Sequence, residues 1–313
     1  MGVTPLKLLV TGANGFLGRH VVAAARTRGH TVRRLVRSGE GEVKCDLSKA
    51  GDRLLADALL GTDAVIHLAA AMSGDPDVQA RDTLAGTRAL LDAVTRARVR
   101  PHVVLASSIA VYSSDPKLSG QEITERSPIE AAPQARDAYV AAKLAQEAML
   151  AEAGGGCVLR IGAIYGAGHS WNAHVGIGLG PVLLRIGDKG QIPLTYVKNA
   201  ALAVVLAAEQ GDGVINIVDS DLPDRRRFVA AHRGSGWPRV TLPVPFAAME
   251  RLGGLLSPWK TRPGLLHPPI LRARMMPLRY SNACARDRLG WAPRGTFEEN
   301  LWAALKAPAK AAP

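Results

Sequence analysis

KLLVTGANGFLG, residues 7–18, decides how this chain is read. Lys7 to Val10 is a short apolar run that stops at Thr11, and Gly12, Gly15 and Gly18 follow at three-residue spacing. Arg19 to Arg28 then reads as a helix that Gly29 ends. A strand that runs into glycines and opens a helix is a phosphate cradle. Glycine permits the tight turn and the close backbone approach, while the helix N-terminus offers free N–H groups and a dipole that favours anions. With 32 glycines in 313 residues the spacing alone says little, and its place at the first strand–helix turn gives it weight.

Outward from that turn the pattern repeats. Residues 31–37, 63–69, 102–107 and 157–161 are apolar runs of strand length. Residues 82–98 and 135–152 read as helices, the first with Leu84, Leu90, Leu91 and Val94 on one stripe and the second stopped by Gly154, Gly155 and Gly156. Strands alternating with helices imply an α/β fold with a doubly wound parallel sheet of Rossmann type and a smaller C-terminal lobe. The expected organisation is a dinucleotide-binding domain over 1–163 and a mainly substrate-binding lobe over 164–305. A segment at about 196–220 returns to the first domain, and 306–313 is a flexible tail.

Two further places carry chemistry. At the end of the second strand, where an NAD binder places Asp or Glu for the ribose hydroxyls, stand Val36 and Arg37. With no carboxylate there and a guanidinium suited to a 2′-phosphate, NADP is favoured as cofactor, NAD being the alternative. The other is Tyr139-x-x-x-Lys143, with Ser108 some thirty residues earlier at a predicted strand end. Residues four apart share a helix face, so the Lys143 ammonium can sit beside the Tyr139 phenol. A free tyrosine titrates at about 10, and lowering that by about 3 units takes roughly 4 kcal/mol, which a fixed cation, helped by a positively charged nicotinamide, is expected to supply. Ser108 can donate to the same substrate oxygen.

With these residues in place the chain resembles the extended short-chain dehydrogenases/reductases of the NAD-dependent epimerase/dehydratase family. The matching stretches are TGANGFLG (11–18), CDLS (45–48), DAVIHLAA (63–70), GTRALLDAV (86–94), SSIAVY (107–112), YVAAK (139–143), LRIGAIYG (159–166) and DRLGWAPRGTFEENL (287–301). The resemblance implies Ser108, Tyr139 and Lys143 as a catalytic triad. It implies Gly12, Gly15, Phe16, Leu17, Asp46, Leu47, Leu68, Ala69 and Ala70 around the dinucleotide, with Asp46 and Leu47 near the adenine and with Asn14 and Ile161 also lining the site.

The chain departs from that pattern in places. Asp82 stands where relatives often have Asn, and Val197-Lys198-Asn199 replaces Val-Asp-Asp. Sugar-nucleotide dehydratases carry an Asp-Glu pair after the catalytic hydroxyl; here Ile109 and Ala110 leave dehydration without an acid and a base. LRIGAIYGAG and the Pro-rich apolar stretch 240–259 resemble the hydroxysteroid-dehydrogenase and flavonoid-reductase side of the family. The expected activity is therefore interconversion of a secondary alcohol and a ketone. The alternatives are a nucleotide-sugar epimerase or reductase, and a non-catalytic dinucleotide-sensing protein, although the latter typically lose the Tyr or Lys. Extended members often dimerise through the helices read at 82–98 and 135–152, so a homodimer is expected.

Composition narrows the rest. Hydrophobic residues are 47% and charged residues 21%, which fits a globular chain. The net charge of +12 is concentrated in residues 221–313, with 16 basic against 6 acidic side chains. That excess suits an anionic small molecule or a solvated surface, and Arg272, Arg274 and Arg279 are candidate partners of a diphosphate. Arg225-Arg226-Arg227 opens a predicted helix as a solvated face, and aromatic interleaving for nucleic acid is missing. Cys45, Cys157 and Cys284 are too scattered for a zinc ribbon, and His169 and His174 lack a third ligand, so no metal is expected. His67 reads as structural. The longest charge-free stretch, 161–184, holds six glycines and a proline and cannot span a membrane. The opening residues lack the charged head and apolar run of a secretory leader, so a cytoplasmic location is expected.

Overall fold

A computed structural model describes residues 4–49, 51–98, 100–256, 258–259 and 264–306. β1 (Lys7–Thr11) enters the glycine turn and α1 (Phe16–Thr27), and β2 (Thr31–Val36), β3 (Val43–Lys44), α2 (Asp52–Leu59) and β4 (Ala64–His67) follow. A single turn, α3 (Pro76–Val78), and a π-helical stretch at Gln79–Leu84 lead into α4 (Ala85–Arg96). Next come β5 (His102–Ser108), β6 (Glu122–Ile123), α5 (Pro133–Arg136), α6 (Ala138–Glu152), β7 (Cys157–Ile161) and β8 (Ala163–Tyr165). The chain continues through β9 (Gly176–Leu179), β10 (Val182–Ile186), β11 (Leu194–Tyr196), α7 (Val197–Gln210), β12 (Gly213–Ile217) and α8 (Arg225–His232). It closes with β13 (Val240–Val244), α9 (Phe246–Leu255), α10 (Pro268–Met275), β14 (Arg279–Tyr280), α11 (Ala283–Leu289) and α12 (Phe297–Lys306).

Seven strands form one parallel sheet in the order β12-β7-β5-β4-β1-β2-β3, the doubly wound arrangement expected from the alternating pattern. Successive side chains of each strand face opposite sides, so both faces are covered. Leu8, Val10, Ile66, Val104 and Leu159 meet α1 and α7 through Val21, Val22, Ala25, Ala200, Ala203 and Val204. On the other side Leu9, Val65, Val103 and Leu105 meet Leu55, Leu90, Leu91, Val94 and Leu150. Small residues along α7 let it lie close against α1, and Glu209 at its end receives Arg28 through two bonds of 2.6 and 2.7 Å and His30 at 2.7 Å. Beyond the large sheet lie a three-stranded sheet in the order β13-β10-β9 and two parallel pairs, β11-β8 and β14-β6.

The element boundaries differ from the sequence reading where a cap intervenes. α1 begins at Phe16 rather than Arg19, because Gly15 is extended (φ −69°, ψ 174°) and serves as its cap. The helix read over 135–152 is two helices. Asp137 is extended between them, and its carboxylate caps α6 by accepting from Val140 N at 2.8 Å. The helix read over 82–98 starts inside the π-helical stretch, and α4 itself ends at Arg96. Residues 307–313 of the expected tail lie outside the described residues, whereas Lys306 ends α12.

Arg225 corrects the reading of a solvated triple-arginine face. It is about 1% exposed, and its guanidinium donates to the carbonyls of His174 (2.8 Å), Lys189 (2.7 Å) and Arg274 (2.9 Å). Its neighbours are partnered at the surface, Arg226 with Asp188 at 2.6 Å and Arg227 with Asp221 and Glu298.

Candidate functional site

The glycine turn sits at the C-terminal edge of the parallel sheet, where ligands of open α/β folds bind. Gly12 has φ +66°, and a Cβ there would lie 2.9 Å from Ala69 N; at Gly18 a Cβ would lie 2.1 Å from Gly12 O. No side chain caps α1 and its first turn carries no acidic residue, an arrangement that suits an anion at its leading N–H groups. A dinucleotide pyrophosphate fits this cradle. Leu68, Ala69 and Ala70 follow β4 alongside the turn, half-buried, with Leu68 N and Ala69 N each donating to Thr11 Oγ1 at 3.2 Å. Asn14 donates to Ser38 O (3.1 Å) and Glu40 O (3.2 Å), which ties the turn to the loop after β2. The Phe16 ring meets His169 at a tilt of 41°, with ring centres 4.1 Å apart, and Leu17 packs between two core clusters.

Asp46 accepts from Ser48 N and Oγ at 3.2 and 2.8 Å, which hold its carboxyl below the usual range, and Leu47 is buried beneath it. Ile161 ends β7 opposite Ser108, with its side chain buried in the core. Arg37 is exposed after β2, and the sequence reading of that strand end needs a correction. A carboxylate does reach it, from the π-helical stretch: Asp82 Oδ2 lies 3.8 Å from Arg37 Nη1, while Asp82 is held at 2.7 Å by Arg81.

Ser108, Tyr139 and Lys143 are brought together by β5 and α6. Ser108, the last residue of β5, accepts from Ala110 N at 3.2 Å and acts on the Tyr139 phenol, drawing its pKa down. Lys143 Nζ lies 5.8 Å from the centre of the Tyr139 ring and donates to Ala106 O (2.8 Å) and Gln146 Oε1 (3.0 Å). Burial lowers Lys143 to about 8, opposed by Glu147. Burial also raises Tyr139 above its ordinary value, opposed by Ser108, so in the protein by itself the phenol is not lowered.

Sequence reasoning missed the groups behind this trio. Gln146 and Thr87 are buried and bonded to each other at 2.7 Å, and Glu147 is held by Ser107 and by Arg160 at 2.7 and 3.1 Å. Their partners lie 13 to 59 residues away, so no local pattern announces them. Toward the C-terminus, Arg272 is engaged by Glu250 at 2.5 Å, which removes it as a ready diphosphate partner, while Arg274 and Arg279 are exposed. Asn199 is buried; it donates to Asp219 at 2.9 Å and accepts from Arg294 N at 3.0 Å, so it secures the C-terminal segment. His174 is half-buried, and desolvation together with Arg274, Arg225 and Arg136 holds it at about 3; its Nδ1 meets Asn172 Oδ1 at 2.6 Å. Among the described residues no helix is long and apolar enough to cross a membrane.

The sequence profile of the NAD-dependent epimerase/dehydratase family matches residues 8–218. The 3-diazoavenalumate denitrifying reductase of a Streptomyces species is 28% identical, over 92% of this chain and 96% of its own length. The 4-hydroxy-2-methyl-3-oxo-4-farnesyl-3,4-dihydroquinoline-1-oxide ketoreductase of Stigmatella aurantiaca is also 28% identical, over 95% of each chain. The UDP-glucose 4-epimerase of Thermus thermophilus, solved with NAD, superposes with a TM-score of 0.70 over 96% of this chain and 98% of that one. At 21% identity that likeness is one of fold.

Proposed function

The chain belongs to the NAD-dependent epimerase/dehydratase family, and we propose that it is a reductase or dehydrogenase interconverting a ketone and a secondary alcohol. The observation that carries this reading is the meeting of Ser108, Tyr139 and Lys143 at the edge of the sheet that also presents the glycine turn. The nicotinamide, when bound, supplies the two-electron exchange. Gly12, Gly15 and the start of α1 hold its pyrophosphate, and Leu68 to Ala70 line the approach. Ser108 orients the substrate oxygen, Tyr139 Oη gives or takes the proton at that oxygen, and Lys143 keeps a positive charge beside the phenol.

A nucleotide-sugar epimerase is the second reading, favoured by the exposed Arg274 and Arg279. The experiment is to follow cofactor absorbance with a panel of ketones and, separately, product composition with UDP- and dTDP-sugars. Net oxidation of the reduced cofactor by a ketone is expected. Sugar epimerisation without net cofactor change, and no ketone turnover, would overturn the first reading.

For the cofactor we infer a modest preference for NADP. Arg37 can reach a 2′-phosphate, but it is exposed and shares its charge with Asp82. A charged hydrogen bond there contributes at the low end of about 1.5–3 kcal/mol, or roughly tenfold in affinity. Titration of both cofactors should show Arg37→Ala reducing the NADPH/NADH affinity ratio by about tenfold and Asp82→Asn increasing it. An unchanged ratio in Arg37→Ala would leave NAD as the partner.

A further inference from the structure

Lys143 is the end of a hydrogen-bond chain whose every proton has one assignment. Thr87 Oγ1 donates its own proton to Thr83 O at 2.7 Å, so toward its other neighbours it can only accept. Two groups meet it there, Gln146 Nε2 at 2.7 Å and His67 Nε2 at 2.9 Å, and both must be donors. With its proton on Nε2, His67 presents Nδ1 as an acceptor to the Thr11 hydroxyl at 2.8 Å. Thr11 Oγ1 in turn accepts from the amides of Leu68 and Ala69. Because the Gln146 amide nitrogen is committed to Thr87, its oxygen can face only Lys143. Turning the amide over would set N–H against ammonium at one end and oxygen against oxygen at the other. Thr11, His67, Thr87 and Gln146 are all at most about 2% exposed, so water does not substitute for any member.

We propose that Gln146 is a positioning residue of the Ser108–Tyr139–Lys143 site, its side-chain oxygen locked by Thr87 and His67 into the one orientation that fixes the Lys143 ammonium. This deepens the alcohol–ketone reading and rests on it. The same chain ties the ammonium to the backbone at Leu68 and Ala69, beside the glycine turn. Four titratable groups surround Lys143. Tyr139 and Glu147 come from its own helix, with Glu147 answered by Arg160 of β7; His67 of β4 stays neutral, held at about 3 by burial and by Lys143 itself. Against burial of the ammonium, the neutral Gln146 oxygen is thus a direct acceptor that no other charge replaces.

The test compares Gln146→Leu and Gln146→Glu with the wild type, in the cofactor-free protein and in turnover. The Lys143 Nζ resonance of ¹⁵N-lysine protein should titrate about one unit lower in Gln146→Leu and higher in Gln146→Glu. The alkaline limb of the kcat profile should move the same way, with kcat down about tenfold in Gln146→Leu, partly restored in Gln146→Glu, and KM for the ketone little changed. The His67 ring should show its proton on Nε2 between about pH 5 and 9. A proton on Nδ1, or a Lys143 midpoint unmoved in folded variants, overturns the proposal while leaving the reaction reading intact. If Gln146→Leu does not fold, the direction of shift in Gln146→Glu decides. Midpoints that move as stated in a protein that turns over no ketone support Gln146 as the anchor of Lys143 and overturn the reaction reading instead.

Discussion

Tyr139→Phe is expected to lower kcat for ketone reduction by about 10²- to 10⁴-fold, the usual loss when a positioned general acid is removed. The change deletes one hydroxyl and leaves the ring, so the Lys143 ammonium keeps the aromatic face 5.8 Å away and the cofactor cradle is untouched. Ser108 retains the bond from Ala110 N, which limits the effect on stability to about 1 kcal/mol. The cofactor dissociation constant, read by quenching of intrinsic fluorescence, should stay within about twofold. Single-turnover rates then isolate the proton transfer. A near-normal rate would remove Tyr139 from the chemistry, and a matching loss of cofactor binding would mean that the substitution had disturbed the fold instead.

Arg225→Met is expected to destabilise the protein by about 3–5 kcal/mol, among the largest effects available to a single substitution. Three carbonyl oxygens, from His174, Lys189 and Arg274, converge on one buried guanidinium, and methionine fills the volume while satisfying none of them. Burial pulls the Arg225 pKa down to about 10, opposed by Tyr280, Asp188 and Asp224. The apparent melting temperature should fall by roughly 6–20 °C by calorimetry. Arg225→Lys keeps the charge but reaches fewer of the three oxygens, so it should recover only part of the loss. A loss below about 1 kcal/mol for Arg225→Met would show that water or neighbouring groups replace the guanidinium.

Legibility followed the range of the interactions. The glycine turn, the strands and the Tyr139–Lys143 pair are local patterns, readable from spacing because backbone geometry alone places them. Asp137 was less visible: as a residue inside an amphipathic run it looked helical, and only its extended backbone makes it the cap of α6. Arg225 was misread because its partners belong to three segments, at 174, 189 and 274, and nothing near residue 225 hints at them. The Asp82 carboxylate near Arg37 was likewise hidden, since the π-helical stretch that carries it lies 45 residues away in the chain. The Gln146–Thr87–His67 connection crosses three elements and was unreadable for the same reason.

The seating of α1 on α7 has a consequence for how the protein is made. Val21, Val22 and Ala25 find their cover in residues 200–208, and the outer strand of the large sheet, Gly213–Ile217, comes later still. At ordinary ribosomal speed the gap between synthesis of α1 and arrival of α7 is on the order of 10–40 s. Through that interval the nascent chain carries the bare apolar side of its first helix and an unfinished sheet edge, both of which invite chaperone binding or aggregation. The glycine turn is translated among the first residues, yet the helix packed against α1 is made only after about two thirds of the polypeptide.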